Sequence, residues 1–400
     1  MTAPILPHEI VPVAVLGAGP YGLAIANELQ RRGIPFRVFG QPFHLWQERT
    51  LSDVFLRSDL QASEIYTHDG RFSLQGFLAD RPSDLATIAS HQGRIPVSAF
   101  RDYLTWVQSQ LTFNIERTQV VNVVADGHYF RIKTNLDEEF AARNIVIATG
   151  IGAFATLPTA LGRLNSPRVI HAWSVEKYAD LNSSRVCVVG SGQSAGEAVE
   201  QLRKHNETTW IYRSEPIFHL DPLNLPRPIF QFVLRASNKA CYFPRILRRA
   251  AKKVFVGSTM TPDLKPSVYA DDVDRFKADV NSLDWIDRQS DIYSAKLDRC
   301  FDAVVCCTGY RLDAKRLPFL EQKLRDRLIC ENGMPRLSKD FESSAPGIYI
   351  AGALAEGSHG PAQRFLIGNR HAAIAISQGI AQKLDSNGPG NIVKPTTSVS

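Results

Sequence analysis

Apolar positions along the chain fall into short continuous runs separated by helix-like stretches, and one arrangement occurs twice. Residues 13–22 read VAVLGAGPYG, an apolar run closed by a glycine turn. Residues 23–32 then carry helical character and stop at Gly33. Short apolar runs bounded by turn residues mark buried strands, and a glycine just past a helical stretch marks its end. Residues 186–196 read VCVVGSGQSAG, and residues 197–204 continue as a helix. In each copy the next apolar stretch, residues 36–39 or 209–212, predicts a second strand. The pattern therefore predicts two βαβ units with the same opening.

A second duplication accompanies the first. Residues 144–150 read NIVIATG and residues 303–309 read AVVCCTG, each a buried-type strand ending in Thr-Gly. Each follows a segment patterned as strands with turns, at about 120–140 and 285–302. The order of glycine turn, Thr-Gly, glycine turn, Thr-Gly predicts one α/β dinucleotide domain interrupted by another. We expect a first domain over 1–165 that resumes over 305–386. A second, inserted over 166–304, carries an elaboration at about 215–277, and residues 387–400 form a flexible Pro/Ser/Thr-rich tail. Both are expected to be Rossmann-like.

Composition adds limits. The chain has 400 residues, 44% hydrophobic and 22% charged, which suits a soluble globular protein of two or three domains. No apolar run reaches the ~18 residues that a membrane helix needs. Residues 1–12 lack a basic start followed by an apolar stretch, so no signal peptide, no stable membrane insertion and a cytoplasmic location are expected. The net charge of +6 suits an enzyme that handles polyanionic dinucleotides. No basic stretch is interleaved with aromatics as in a nucleic-acid module, so nucleic acid is not an expected partner. Six cysteines, at 187, 241, 300, 306, 307 and 330, form no CxxC pair and no zinc-type spacing with histidines. They are expected to be buried thiols, and no metal site is expected.

The candidate chemistry lies in the glycine turns. Gly17 permits the tight turn, Gly19 lets the backbone approach a pyrophosphate, and Gly22 lets helix and strand pack closely. The helix N-terminus then faces the phosphates with its positive end. The acid that often follows the second strand is missing, because the chain reads Phe39-Gly40-Gln41 there. Gly190, Gly192 and Ala195 form the second fingerprint. Its second strand ends at Tyr212-Arg213, a cation suited to the 2′-phosphate of NADPH.

With these motifs the chain resembles the class B flavin-dependent monooxygenases, above all the lysine and ornithine N-hydroxylases and the flavin-containing monooxygenases. Trp46, the FLRSDL stretch at 55–60, FSL at 72–74 and PVSAFRDYLTW at 96–106 follow that family's order. GSGQSA at 190–195 and CTGY at 307–310 match its nicotinamide fingerprint and second Thr-Gly-Tyr. His171 fits a further family motif whose leading Phe-x-Gly is absent, and Ala353 stands where related flavoproteins often have Asp. The resemblance implies FAD and NADPH as cofactors. Beyond the glycines and Arg213, it implies cofactor contacts at Pro20, Trp46, Val121, Thr149, Gly150, Gln193, Ser194, Ala195, Thr308, Gly309, Gly352 and Ala353. It carries one catalytic role, contact with substrate and nicotinamide ribose, to Asn224. It further implies that NADPH reduces FAD, that oxygen adds at flavin carbon 4a, and that one oxygen atom passes to a soft nucleophile. The partners would be molecular oxygen and a small amine or thioether, and a homo-oligomer remains open. A reductase of the electron-transfer or thioredoxin-reductase type is the alternative. The second of these needs a redox cysteine pair.

Overall fold

The computed structural model describes residues 10–182, 184–220 and 258–386, together with positions 226, 229, 232, 233 and 236. The elements that build the site are β1 (Ile10–Leu16), α1 (Pro20–Arg31), β2 (Phe36–Phe39), α2 (His44–Glu48), α3 (Val97–Ser109), β3 (Val120–Asp126), β4 (Tyr129–Thr134), β5 (Glu139–Ile147), β6 (Val169–His171), β7 (Arg185–Val189), α4 (Gln193–Leu202), β8 (Glu207–Tyr212), β9 (Val273–Lys277), β10 (Ala303–Cys306), β11 (Ile348–Ile350) and α5 (Asn369–Ser386).

The first sheet runs β2-β1-β5-β4-β3. β1 lies parallel to β2 and to β5, whereas β4 and β3 fold back antiparallel. β5 is long enough to serve two neighbours on its outer edge, β4 along its first half and β11 along its second. The last four residues of β1 and the second half of β5 are buried on both faces, as parallel strands covered by helices must be. α1 and α5 pack together over one face of this sheet, with Leu23, Ile25, Leu29, Ile376 and Ile380 in the core.

The second sheet runs β9-β8-β7-β10-β6, parallel throughout. It repeats the first: β8-β7-β10 stands in the order of β2-β1-β5. An antiparallel ribbon of Trp285–Asp287, Ile292–Ser294 and Arg299–Phe301 precedes β10 as β3 and β4 precede β5. The architecture is therefore α/β with two Rossmann-like units. All of β10 pairs in the second sheet, so the chain leaves that sheet after Cys306 and returns to the first at β11. Val273–Lys277, at the end of the stretch expected as an elaboration, is an edge strand of the second sheet. Of the rest, Ile217–Phe218 pairs with Thr259–Met260. The basic run at 245–253 lies outside the described residues.

The two units interlock where the chain crosses between them. Ala155 bridges Tyr310, the Thr156 amide donates to the Gly309 carbonyl at 3.3 Å, and Thr308 Oγ1 donates to the Thr156 carbonyl at 2.7 Å. Arg49 pairs with Glu176, and Arg94 pairs with Asp263 at 3.0 Å. The Arg57 guanidinium donates to the carbonyls of His219 and Leu220 and to Thr259 Oγ1. Among the described residues no helix is long and apolar enough to cross a membrane.

Candidate functional site

The two fingerprints occupy equivalent places. The Gly17 amide donates to the Phe39 carbonyl at 2.8 Å, and the Gly190 amide donates to the Ile211 carbonyl at 2.9 Å. Each glycine turn thus closes a β-strand against its neighbour. Gly17 has φ +117° and Gly190 φ +141°, conformations that L side chains rarely adopt. A Cβ on Gly17 would also lie 2.3 Å from the Ala148 carbonyl oxygen, and one on Gly190 would lie 2.5 Å from that of Cys307. Each turn is therefore pressed onto the strand that ends in its own Thr-Gly.

The other glycines divide by role. A Cβ on Gly22 would fall 1.8 Å from the Gly17 carbonyl oxygen, so the third glycine is required by helix–turn packing. A Cβ on Gly19 would meet no protein atom within 4 Å. Gly19 has extended backbone and caps α1, with Pro20 in the first helical turn. No described protein atom accounts for a glycine there, and the open space lies in front of the α1 N-terminus, where unpaired backbone amides attract anions. In the second unit Ala195 is fully buried at the third position, and a Cβ on Gly192 would lie 2.8 Å from Ser258 Oγ.

Thr149 and Gly150 follow β5, and Thr308 and Gly309 follow β10; all four are exposed. Gly150 and Gly309 have φ +71° and +74°, with nothing within 4 Å of an added Cβ. Gly352, with φ +75°, follows β11, and Ala353 is buried just beyond it. The Gly17, Thr149 and Gly352 turns thus share the C-terminal edge of the first sheet, as Gly190 and Thr308 share that of the second. Ligands of open parallel sheets bind at this edge. The residues present fit FAD on the first unit and NADPH on the second.

Arg213 is exposed just past β8. Because Phe39 and Ile211 are equivalent in register, Arg213 occupies the place of Gln41. No described carboxylate lies within ion-pair distance of it, so its charge faces solvent at the end of the second strand. Gln193 is engaged within the protein: its Oε1 accepts from the Thr261 amide at 2.9 Å, and its Nε2 donates to Glu197 Oε1 at 2.9 Å. Ser194 gives its carbonyl to the Cys307 thiol. Trp46 is half-buried and packs edge-on to Phe100. Val121 sits at a bulge of β3, 45% exposed. Asn224 lies outside the described residues.

Two features escaped the sequence reading, and a third residue that it singled out, His171, takes a structural place. α2 folds Glu48 back so that it accepts from Gln41 Nε2 at 3.4 Å and lies 3.1 Å from His44 Nδ1. An acid therefore does stand beside the second-strand turn, supplied from a later helix. Tyr21, inside the first fingerprint, donates its buried hydroxyl toward the carbonyls of Gln363 and Phe365 at 2.9 and 2.8 Å. That contact fixes the turn before α5 against α1. Its signal was only an aromatic within a glycine motif. His171 joins the crossings: its Nε2 donates to the Gly309 carbonyl at 3.0 Å, and its Nδ1 accepts from the Trp173 amide at 3.0 Å. One neutral tautomer satisfies both bonds, and burial pushes the imidazole below its ordinary pKa. His359 is fully buried and stacked at 3.5 Å on Phe341, as a core histidine.

Cys187, Cys306 and Cys307 are buried, and burial pushes their thiols up. Cys300 and Cys330 are partly exposed free thiols. Among the described residues no group of His, Cys, Asp and Glu is arranged to hold a metal.

This fold, with a dinucleotide-type edge on each unit, is shared with solved flavin-binding oxidoreductases. The family model for L-lysine 6-monooxygenase/L-ornithine 5-monooxygenase matches residues 70–238. An ornithine N-hydroxylase of Kutzneria sp. 744 superposes with a TM-score of 0.78 at 20% identity, covering 94% of this chain and 100% of that one. A bacillithiol disulfide reductase of Bacillus cereus superposes with a TM-score of 0.63 at 20% identity, covering 93% and 99%. An uncharacterised oxidoreductase of Bacillus subtilis is 26% identical over 238 residues, 58% of this chain and 56% of its own. The chain spans about half the length of the curated relatives it matches. The matches set it beside the class B flavin-dependent monooxygenases, with the lysine/ornithine N-hydroxylase and flavin-containing monooxygenase families.

Proposed function

We propose that the protein is an FAD-dependent, NADPH-using monooxygenase that oxygenates a soft nucleophile, an amine nitrogen before sulfur. The observation that carries this reading is the match of residues 70–238 to the lysine/ornithine monooxygenase family, because that stretch links the two dinucleotide units. Bound FAD would supply the oxygen chemistry, through an oxygen adduct at carbon 4a formed after reduction by NADPH. The chain's own residues bind and orient. Gly17, Gly19, Pro20 and Gly22 would cradle the FAD pyrophosphate at the start of α1. Thr149, Gly150, Gly352 and Ala353 would border the flavin, with Trp46 and Val121 as outer contacts. Gly190, Gly192, Ser194, Ala195 and Arg213 would hold NADPH, while Gln193 positions α4 through Thr261. Thr308 and Gly309 close the crossing beside it. Asn224 is proposed, by resemblance, to touch substrate and nicotinamide ribose. The substrate would be a small primary amine or diamine.

The second reading is a reductase, and the bacillithiol disulfide reductase likeness favours it. The cysteines speak against a dithiol enzyme, because those described beside the crossing are buried in the second sheet. Anaerobic reduction by NADPH followed by mixing with oxygen separates the two. A monooxygenase forms a long-lived flavin–oxygen adduct, releases little peroxide, and consumes NADPH faster with at least one amine. Rapid reoxidation with no adduct, together with fast reduction of quinones or ferricyanide, rejects the proposal.

A further inference from the structure

A second concavity lies away from both dinucleotide edges. It is a groove of about 560 Å³ between the C-terminal half of α1, the loop at 64–73 and the start of α5. Gly19 caps the other end of α1, about 18 Å away at 1.5 Å per residue. The groove therefore does not belong to the pyrophosphate site, although it shares a helix with it.

Its lining is cationic. Arg31 grips Glu28 with two nitrogens, at 3.1 and 2.8 Å, and Arg32 approaches the same carboxylate at 3.8 Å. Glu28 is 1% exposed, so one buried carboxylate serves two guanidinia. Arg370 lies with its guanidinium carbon 5.4 Å from the Tyr66 ring centre. No described carboxylate lies within ion-pair distance of Arg370. Glu28, Arg31, Arg32, Tyr66 and Arg370 all line this one groove. The other acid in the lining, Glu64, accepts from Ser73 Oγ and the Leu74 amide, both at 3.2 Å. Three arginines thus line the groove, and the carboxylate that Arg31 and Arg32 share is that of Glu28. Phe72, fully buried, and Ile374 give the groove an apolar floor.

We propose that this groove binds a small organic oxyanion with a flat apolar body. The oxyanion would bridge Arg370 and the Arg31–Arg32 pair and accept from the Tyr66 hydroxyl, while its body lies on Phe72 and Ile374. Guanidinia recognise carboxylate and phosphate in the same forked geometry, so either headgroup satisfies the site. The volume is that of an ordinary small-molecule pocket.

The test is calorimetric titration of the FAD-loaded protein with benzoate, phenyl phosphate and inorganic phosphate. Saturable binding of at least one aromatic anion, tighter than inorganic phosphate, is expected. Which of the two binds better distinguishes a carboxylate from a phosphate ligand. Arg370→Ala should weaken it by about tenfold or more, as loss of a charge-assisted fork requires. Tyr66→Phe should weaken it less, and neither change should alter the flavin spectrum. NADP⁺ should not displace the anion. Absence of saturable binding, equal binding by Arg370→Ala, or displacement by NADP⁺ overturns the proposal. So does a dimer that Arg370→Ala dissociates in a protein that binds no anion. None of these outcomes touches the oxygenation reading, which is judged by the flavin–oxygen adduct.

Discussion

Gly19 and Gly22 differ by three positions in one turn, yet their substitution should fail in opposite ways. An added Cβ at Gly22 lies 1.8 Å from the Gly17 carbonyl oxygen and 3.5 Å from Val15 Cγ1. Carbon and oxygen do not approach within 3.0 Å in such contacts, so α1 or the turn must give by more than about 1 Å. Overpacking of this kind costs roughly 1 to 3 kcal/mol. Gly22→Ala should therefore lower the stability of flavin-free protein by that amount. At Gly19 the backbone is extended, φ −84° and ψ −176°, and no atom lies within 4 Å of a Cβ. Gly19→Val should leave the flavin-free protein within about 1 kcal/mol of the unaltered one, the usual scale of a changed helix cap. Its side chain would instead occupy the space in front of α1 where a pyrophosphate must come. Denaturant unfolding of flavin-free protein and the flavin-to-protein absorbance ratio after reconstitution separate the two effects. Full flavin occupancy in a stable Gly19→Val protein would refute the site assignment, and normal stability of Gly22→Ala would refute the packing argument.

Arg213→Ala should remove most of a preference for NADPH with little effect on NADH. A charge-assisted pair is worth roughly 1.5 to 3 kcal/mol, or tenfold to over a hundredfold, and added salt should erode it because Arg213 is exposed. Equal use of both nicotinamides by the unaltered enzyme rejects the assignment. His171 is held neutral in the fold, so below its ordinary pKa of about 6.5 the unfolded chain binds more protons than the native one, and stability should fall as pH falls. His171→Gln should flatten part of that slope in denaturant titrations at about pH 5.5 and 7.5, leaving the part due to His371, which burial also depresses. An unchanged slope would mean that His171 is not buried as described. Tyr21→Phe removes a buried donor from the Gln363 and Phe365 carbonyls and should cost about 1 to 3 kcal/mol, read by thermal unfolding; no loss would show that water replaces it.

The sequence determined the parts of this protein whose cause is local. The strand–turn–helix of residues 13–32 was legible because a buried parallel strand needs consecutive apolar residues and the turn needs glycine. The same held for the unit at 186–212, and for the Thr-Gly ends of β5 and β10. The repetition of those signals also disclosed the nested order of the two units. Only the tertiary structure decided what depends on distant segments meeting. Position 41 showed no acid in sequence, yet α2 turns Glu48 back to it. Tyr21 and the turn before α5 are more than 340 positions apart, and they meet because α1 and α5 pack on one sheet face. Val273–Lys277 sits in a stretch without the expected pattern, and it became a strand because β8 offered an open edge. His171 and Gly309 bond because β6 and β10 are neighbours. Local propensity and glycine stereochemistry write themselves into adjacent residues. Register, crossing contacts and shared charges arise from the closing of the fold, and no window of the sequence contains them.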